Sequence, residues 1–364
     1  MLQFVFGRVC LTVAFATAPL ALAQVNERAS VEQVVREMEA TISRGDGPAY
    51  LRLVDLREPV FAAEHRNFVR DWQSKPPKSL TITASNIAVE DAVAYADLRW
   101  AWRREETARS ATFAAEFRKV NGAWRYAGER WNEVQVGGAR VLWQDQQEAT
   151  ARAMASELGA LQSQVARELG FPAAPQPVLK LYSSSEALSA SVQLSLQPVA
   201  GWNEPGEAVK LARPGWPGSR STLLHELTHH AVFERYGAGQ ARLPWWLHEG
   251  IAQYVASTGW PATQRETYLQ RSANWQKRGE LPEFSRLAVF ESTPDALWGY
   301  VYAQGYAFVR FAVELHGMGA LTDFMERVAR GADLGEASTA SFGKSFEAMD
   351  EAFRLWLKDG AERT

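Results

Sequence analysis

Histidines are crowded into one short stretch of the chain. The 364-residue sequence has 6 His, and four of them lie within 24 residues: His225, His229, His230 and His248. His225 and His229 form the ends of the pattern His-Glu-x-x-His. On a helix, residues four apart lie about 6 Å apart along the axis on one face, so both imidazoles can bind one zinc ion.

Glu226, between these two histidines, has the chemistry of a general base. It projects next to the ligand face, where its carboxylate can take a proton from an activated water without binding the metal itself. Zinc lowers the pKa of bound water to about 7, so a carboxylate can generate the nucleophile at neutral pH. The pattern therefore predicts metal-assisted hydrolysis.

Two histidines make half of a catalytic zinc site, so a third ligand is required. Glu249 is the first candidate, because Pro244 opens a second predicted helix that places it near the helix start. Two antiparallel helices joined by the loop 237–243 can bring Glu249 to the metal. The competing third ligand is His248. The other histidines are expected to have ordinary roles: His65, His230 and His316.

Aromatic residues supply further candidates around the site. Tyr302 and Tyr306, four apart on a predicted helix, can stabilise an oxyanion during acyl transfer or can pack in the core. The same two alternatives, a wall of the substrate cleft or core packing, apply to four tryptophans: Trp202, Trp216, Trp245 and Trp246.

The elements that must position these residues are mostly helical after Ser219. A long helix over 146–170 and short strands over 178–182 and 208–212 predict a small strand-bearing lobe before them. Nearer the N-terminus, helices precede strands of period two, and the clearest strand alternates Ala94, Ala96, Leu98, Trp100 and Trp102 with other residues. The fold class predicted from this order is α+β.

The first 23 residues have the features of a secretory signal peptide. Arg8 is their only charge, an apolar run of about 14 residues follows, and Ala21-Leu22-Ala23 precedes Gln24. Such a run is shorter than the roughly 20 residues of a spanning helix, so we expect cleavage, export to the periplasm or medium, and no stable membrane insertion. Cleavage also removes Cys10, the only cysteine, so a metal site must use His and carboxylates.

Composition excludes several classes of protein. With 46% hydrophobic residues and 14 Trp the chain has too many large apolar side chains to be disordered, and its net charge of -3 gives no attraction to nucleic acid. Gly137-Gly138 is predicted to be the joint between two domains. We therefore divide the chain into three parts: the signal peptide 1–23, a domain over 24–138 and a domain over 139–364.

Two resemblances follow from these patterns. The layout of residues 28–135 resembles the NTF2-like family, in which a curved sheet forms a cone around helices. Residues 140–364 resemble the gluzincin metallopeptidases of the peptidase MA type, whose signature couples H-E-x-x-H to W-L-x-E-G-x-A-x-Y. That second element is filled here by Trp246, Leu247, Glu249, Gly250, Ala252 and Tyr254.

The gluzincin resemblance implies zinc bound by His225, His229 and Glu249, with Glu226 as general base and proton shuttle. In the thermolysin-like branch an Asp four residues after the ligand Glu orients a ligand His, whereas this chain has Gln253. The implied protein is an exported zinc metallopeptidase acting on peptides or proteins. Two alternatives remain, a non-catalytic binding protein with the peptidase fold and a zinc hydrolase of a non-peptide amide or ester.

Overall fold

The computed structural model describes residues 18–361, with side chains described for 26–359. Most of the predicted signal peptide, residues 1–23, therefore lies outside the described residues. The chain forms two compact units. The first comprises residues up to Arg57 together with Val69–Arg130, and the second comprises Glu58–Phe68 together with the chain from Trp131 onward.

The first unit combines helices with an antiparallel meander. Its helices are α1 (Ala18–Ser43), α2 (Gly47–Arg52) and the C-terminal part of α3 (Pro59–Ser74). Its sheet has the order β1-β2-β3-β4, with β1 (Ser79–Glu90), β2 (Val93–Arg104), β3 (Thr107–Val120) and β4 (Ala123–Glu129). The five alternating β2 residues predicted to face the core are each at most 3% exposed. This side of the sheet is therefore the packed one.

The second unit begins with a five-stranded mixed sheet. Its order is β5-β6-β7-β9-β8, where β6, β7 and β9 are parallel and the two edge strands are antiparallel. The strands are β5 (Asn132–Val136), β6 (Ala139–Trp143), β7 (Val178–Tyr182), β8 (Gly201–Trp202) and β9 (Val209–Ala212). The helix α4 (Glu148–Leu169) makes the crossover from β6 to β7, as a parallel pair requires.

The remainder of the second unit is helical. After α5 (Ser185–Val192) come α6 (Arg220–Tyr236), α7 (Trp245–Ala256), α8 (Ala262–Lys277), α9 (Trp298–Ala329), α10 (Leu334–Phe342) and α11 (Phe346–Ala361). Five short 3-10 helices lie over Gly237–Arg242, Ser257–Gly259, Phe284–Leu287, Phe290–Ser292 and Asp295–Leu297. A sheet-bearing unit followed by a small lobe and a helical region confirms the predicted α+β class.

Gly137 and Gly138 do not form a linker in the structure. They make the turn of the hairpin between β5 and β6, where Val136 pairs with Ala139 and both glycines have positive φ angles of 56° and 88°. Two consecutive glycines are compatible with a tight hairpin turn and with a flexible linker, so the sequence alone does not distinguish these two structures. The boundary between the first and the second unit lies between Arg130 and Trp131, a few residues before these glycines.

The helices α7 and α9 cross with their backbones in contact. A Cβ built on Gly250 would lie 2.6 Å from the carbonyl carbon of Gly305, and a Cβ on Gly305 would lie 2.3 Å from the carbonyl oxygen of Trp246. Only glycine permits so close an approach. This crossing brings the start of α7, with Glu249, beside the first turns of α9. Among the helices within residues 18–361, none has the length and apolar character needed to cross a membrane.

Candidate metal centre

The helix α6 presents the two histidines of the motif. It runs unbroken from Arg220 to Tyr236, and Leu223, Leu224 and Leu227 anchor it in the core with at most 1% exposure. These leucines fix the rotation of the helix about its axis. His225 and His229 then lie one turn apart on the same face, with their ring centroids 4.7 Å apart.

Three side chains from α6 and α7 converge on one point. His225 Nε2 lies 3.0 Å from His229 Nε2 and 3.1 Å from Glu249 Oε2, and His229 Nε2 lies 3.6 Å from the same oxygen. Within the described residues these three form the one group with the donor types and spacing to hold a metal ion. The structure thus brings together the three residues predicted as ligands.

The donor atoms fit a zinc ion. With zinc–ligand distances of 2.0–2.2 Å, a tetrahedral site separates its ligand atoms by about 3.3 Å. Glu249 Oε1 accepts a hydrogen bond of 2.9 Å from Trp245 Nε1, and Glu249 Oε2 is buried facing both imidazole nitrogens. A cation between these three donor atoms would compensate the buried carboxylate charge.

The charges of the site are strongly coupled. Burial raises the pKa of Glu249, but the His229 and His225 imidazoles lower it more, so the net pKa is well below its usual value. Burial lowers the pKa of His225, and the hydrogen bond and charge of Glu249 reverse that effect and raise it overall. Glu249 is therefore ionised, as a carboxylate ligand must be.

Glu226 is buried beside this cluster and points to the edge of the sheet. Its pKa is raised, chiefly by burial, with opposing contributions from the charges of His225 and His229. A Cβ built on Gly201 in β8 would lie 2.5 Å from Glu226 Oε1. The backbone of β8 therefore forms the wall against which this carboxylate rests.

The two candidate tyrosines lie in different surroundings. The Tyr302 ring is 6.2 Å from that of His225, and burial followed by the charges of Glu249 and Glu226 raises its pKa well above the usual value. Tyr306 instead packs against Trp260 and Tyr268, with centroid distances of 6.0 and 5.5 Å. Of the two, Tyr302 is the one that lies beside His225, His229 and Glu249.

His248 and His230 are directed elsewhere. His248 Nε2 lies 3.1 Å from the Gln240 carbonyl oxygen, and burial lowers the pKa of His248 to about 4. His230 Nε2 lies 2.8 Å from the Pro175 carbonyl oxygen. Neither residue is part of the three-residue group.

The four candidate tryptophans have different surroundings. Trp246 is fully buried against Phe284 and Phe308. Trp216 donates from Nε1 to Glu157 Oε1 at 2.8 Å. Trp245 and Trp202 both contact Phe290, with centroids 5.0 and 5.8 Å apart.

Two side chains contact the predicted ligands from behind, Gln253 at the position that the gluzincin resemblance gives to an orienting residue and Trp245, whose contact sequence reasoning missed. Gln253 hydrogen-bonds the His225 imidazole and raises its pKa, and its Nε2 donates to the Tyr268 hydroxyl at 3.1 Å. Because the amide donates from its nitrogen to Tyr268, its oxygen is available to accept from His225. For Trp245 the sequence predicts a cleft wall or core packing, and in the structure its indole N–H donates a hydrogen bond directly to Glu249. The spacing of Trp245 and Glu249, four apart on one helix, is the signal that indicates this contact.

The region that holds the site is similar to a known protein family. Residues 208–359 match the family model of the Peptidase MA superfamily, a region that includes all three cluster residues. No curated protein matches the chain.

Solved structures of several kinds are similar to parts of the chain. An M1 zinc metallopeptidase from Deinococcus radiodurans is 15% identical, with a TM-score of 0.38, covering 78% of this chain. This chain spans 62% of the length of that protein. An NTF-2 like protein of unknown function from Shewanella oneidensis MR-1 is 16% identical, with a TM-score of 0.26 over 28% of this chain and 94% of its own.

Proposed function

We propose that this protein is a zinc-dependent metallopeptidase that hydrolyses peptide bonds, with Glu226 as general base. The observation that carries the proposal is the convergence of His225 Nε2, His229 Nε2 and Glu249 Oε2 within 3.6 Å, inside a region that matches the Peptidase MA superfamily. Three protein ligands leave a fourth position open, as catalytic zinc sites do and structural ones do not.

In this proposal zinc, held by the three ligands, supplies Lewis acidity and lowers the pKa of water. Glu226 takes the proton of the attacking water and later delivers it to the leaving amine nitrogen. Glu226 is buried beside the three ligands, so its carboxylate can accept and donate this proton without exchange with bulk water. The Tyr302 hydroxyl, which remains protonated, can donate a hydrogen bond to the oxyanion of the substrate.

The proposal includes export and a domain with an NTF2-like fold. Its support is the signal-like sequence of residues 1–23 and, for the first unit, the order of helices followed by a four-stranded meander. Intact mass of the protein recovered outside the cytoplasm should begin at or near Gln24. Recovery of the full-length chain alone, from membranes, would contradict processing.

The function is tested by pairing zinc analysis with a broad peptide-library digest. Glu226→Gln is nearly isosteric, so it should keep zinc and thermal stability while turnover falls by about 10²- to 10⁴-fold. The comparison must be made at equal zinc occupancy. Equal rates for wild type and Glu226→Gln would instead favour the non-catalytic binding protein. Cleavage of amide or ester probes with no cleavage of peptides would favour the non-peptide hydrolase.

A further inference from the structure

Four charged side chains are buried together in the second unit. Lys180, Lys210, Glu64 and Glu207 are each at most 6% exposed. Lys180 Nζ lies 2.5 Å from Glu64 Oε2, and Lys210 Nζ lies 3.1 Å from Glu64 Oε1 and 2.5 Å from Glu207 Oε2. Glu64 is thus shared by both lysines. Removing one member of such a group leaves a buried charge without compensation, which is strongly unfavourable.

Glu64 belongs to the first half of α3, which lies in the segment Glu58–Phe68 of the second unit. The same segment makes two more contacts with the turn between β8 and β9. Asn67 Nδ2 donates to Glu207 Oε1 at 2.5 Å, and a Cβ built on Gly206 would lie 3.5 Å from the Ala63 Cβ. Ala63, Glu64 and Asn67, spaced for one side of a helix, therefore hold the β8–β9 hairpin.

This hairpin reaches the proposed general base. The two residues of β8 pair with β9 alone, Gly201 with Leu211 and Trp202 with Lys210. Gly201 packs directly on Glu226, since a Cβ there would lie 2.5 Å from Oε1 and 3.0 Å from Cδ. A two-residue edge strand has little pairing of its own, so its position depends on what holds β9 and the connecting turn.

We propose that Glu64 and Asn67 are positioning residues for Glu226. They fix the β8–β9 hairpin, and the hairpin's Gly201 backbone fixes the carboxylate of Glu226. The inference rests on the proposed role of Glu226 as the base. It also assigns residues 58–68 to the working peptidase unit, although the family match begins at residue 208.

The test uses the full chain with two variants, Glu64→Gln and Asn67→Ala, and one control. Leu357→Ala removes a buried side chain from α11, which packs on α8, α9 and α10, and so lowers stability without altering the hairpin. Two readouts distinguish positioning from stability alone. One is hydrogen exchange of the backbone amides of residues 201–203, and the other is the split between kcat and KM at equal zinc occupancy.

We expect Glu64→Gln and Asn67→Ala to speed exchange at residues 201–203 by about tenfold, and to lower kcat by about tenfold or more with KM nearly unchanged. Leu357→Ala should do neither beyond its general loss of stability. Unchanged exchange at these amides would overturn the proposal, as would a kcat loss that Leu357→Ala reproduces at equal stability.

The two proposals can fail separately. If the wild-type protein binds zinc but hydrolyses no peptide, amide or ester, the metallopeptidase function is contradicted. The exchange measurement then still decides whether Glu64 and Asn67 hold the hairpin, because it needs no turnover.

Discussion

At the scale of single residues, the choice between Glu249 and His248 follows from which atoms face the histidine pair. Glu249 Oε2 lies 3.1 Å from His225 Nε2, whereas His248 Nε2 is 3.1 Å from a carbonyl oxygen. We expect Glu249→Ala to lose zinc on dialysis, with a loss of affinity greater than the 10- to 100-fold typical of groups behind the ligands. His248→Ala is the control and should retain zinc. The reverse result would exchange the two assignments.

The two tyrosines make a matched pair of variants. Tyr302→Phe removes a hydroxyl beside the cluster and should lower kcat by about 10²- to 10³-fold, with zinc retained, because loss of one oxyanion donor has that effect. Tyr306→Phe removes a hydroxyl among Trp260 and Tyr268 and should leave kcat within a few-fold of wild type. Steady-state kinetics on one peptide substrate decides between them. Equal effects would remove the special role of Tyr302.

At the scale of elements, the crossing of α7 and α9 determines where Glu249 lies. A methyl group at Gly250 meets the Gly305 backbone at 2.6 Å, which neither helix can relieve by a side-chain movement. We expect Gly250→Ala to destabilise the protein by about 1–3 kcal/mol or more, measured by urea unfolding.

Gly299, also in α9, has nothing within 4 Å of a built Cβ and provides the control for this substitution. Gly299→Ala should be neutral or stabilising by up to about 1 kcal/mol, through helix propensity. Similar losses for both variants would show that propensity, and not the close crossing, controls the first result.

The part of the site that lies within one helix was predictable from the sequence, and the part that lies on a second helix was less so. The His-Glu-x-x-His pattern lies within one helix, so its geometry follows from the helical repeat and the alternation of buried leucines. Glu249 lies on another helix, and its position beside the two histidines depends on the glycine crossing of that helix with α9. That contact is between residues about 55 positions apart in the sequence, Gly250 and Gly305, and a local pattern does not encode it.

At the scale of the whole molecule, buried groups make folding dependent on pH. Burial is the largest cause that lowers the pKa of His65, to about 3, so the folded protein keeps this histidine neutral. The unfolded chain protonates it below about pH 6.5. A depressed folded pKa therefore contributes stability that is fully present above pH 6.5 and is lost as the pH falls toward 3.

The difference between wild type and His65→Leu isolates this contribution. Wild type should lose up to about 1.4 kcal/mol per pH unit from this group below pH 6.5, and the variant should lack that part of the slope. The measurement is the free energy of unfolding at pH 6.5, 5.5 and 4.5 for both proteins. Parallel curves would show that His65 is not the group responsible.

Patterns of short range along the chain predict several features of the fold and of the site. These are the α+β class, the alternating core face of β2, the positions of β7 and β9, and a helix with two histidines on one face around Glu226. Each feature depends on a period of about two or 3.6 residues, or on a spacing within one element. Such local patterns are visible in the amino-acid sequence.

Packing in the folded protein determines which distant residues meet. It placed Tyr302 beside the cluster, put Gln253 between His225 and Tyr268, turned Gly137-Gly138 into a hairpin, and joined Glu64 of α3 to Lys180 and Lys210. These contacts depend on how helices and strands pack across long separations, where many pairings are compatible with the same local patterns. A buried Lys or Glu requires a partner of opposite charge, but the packing of the fold determines which residue that partner is.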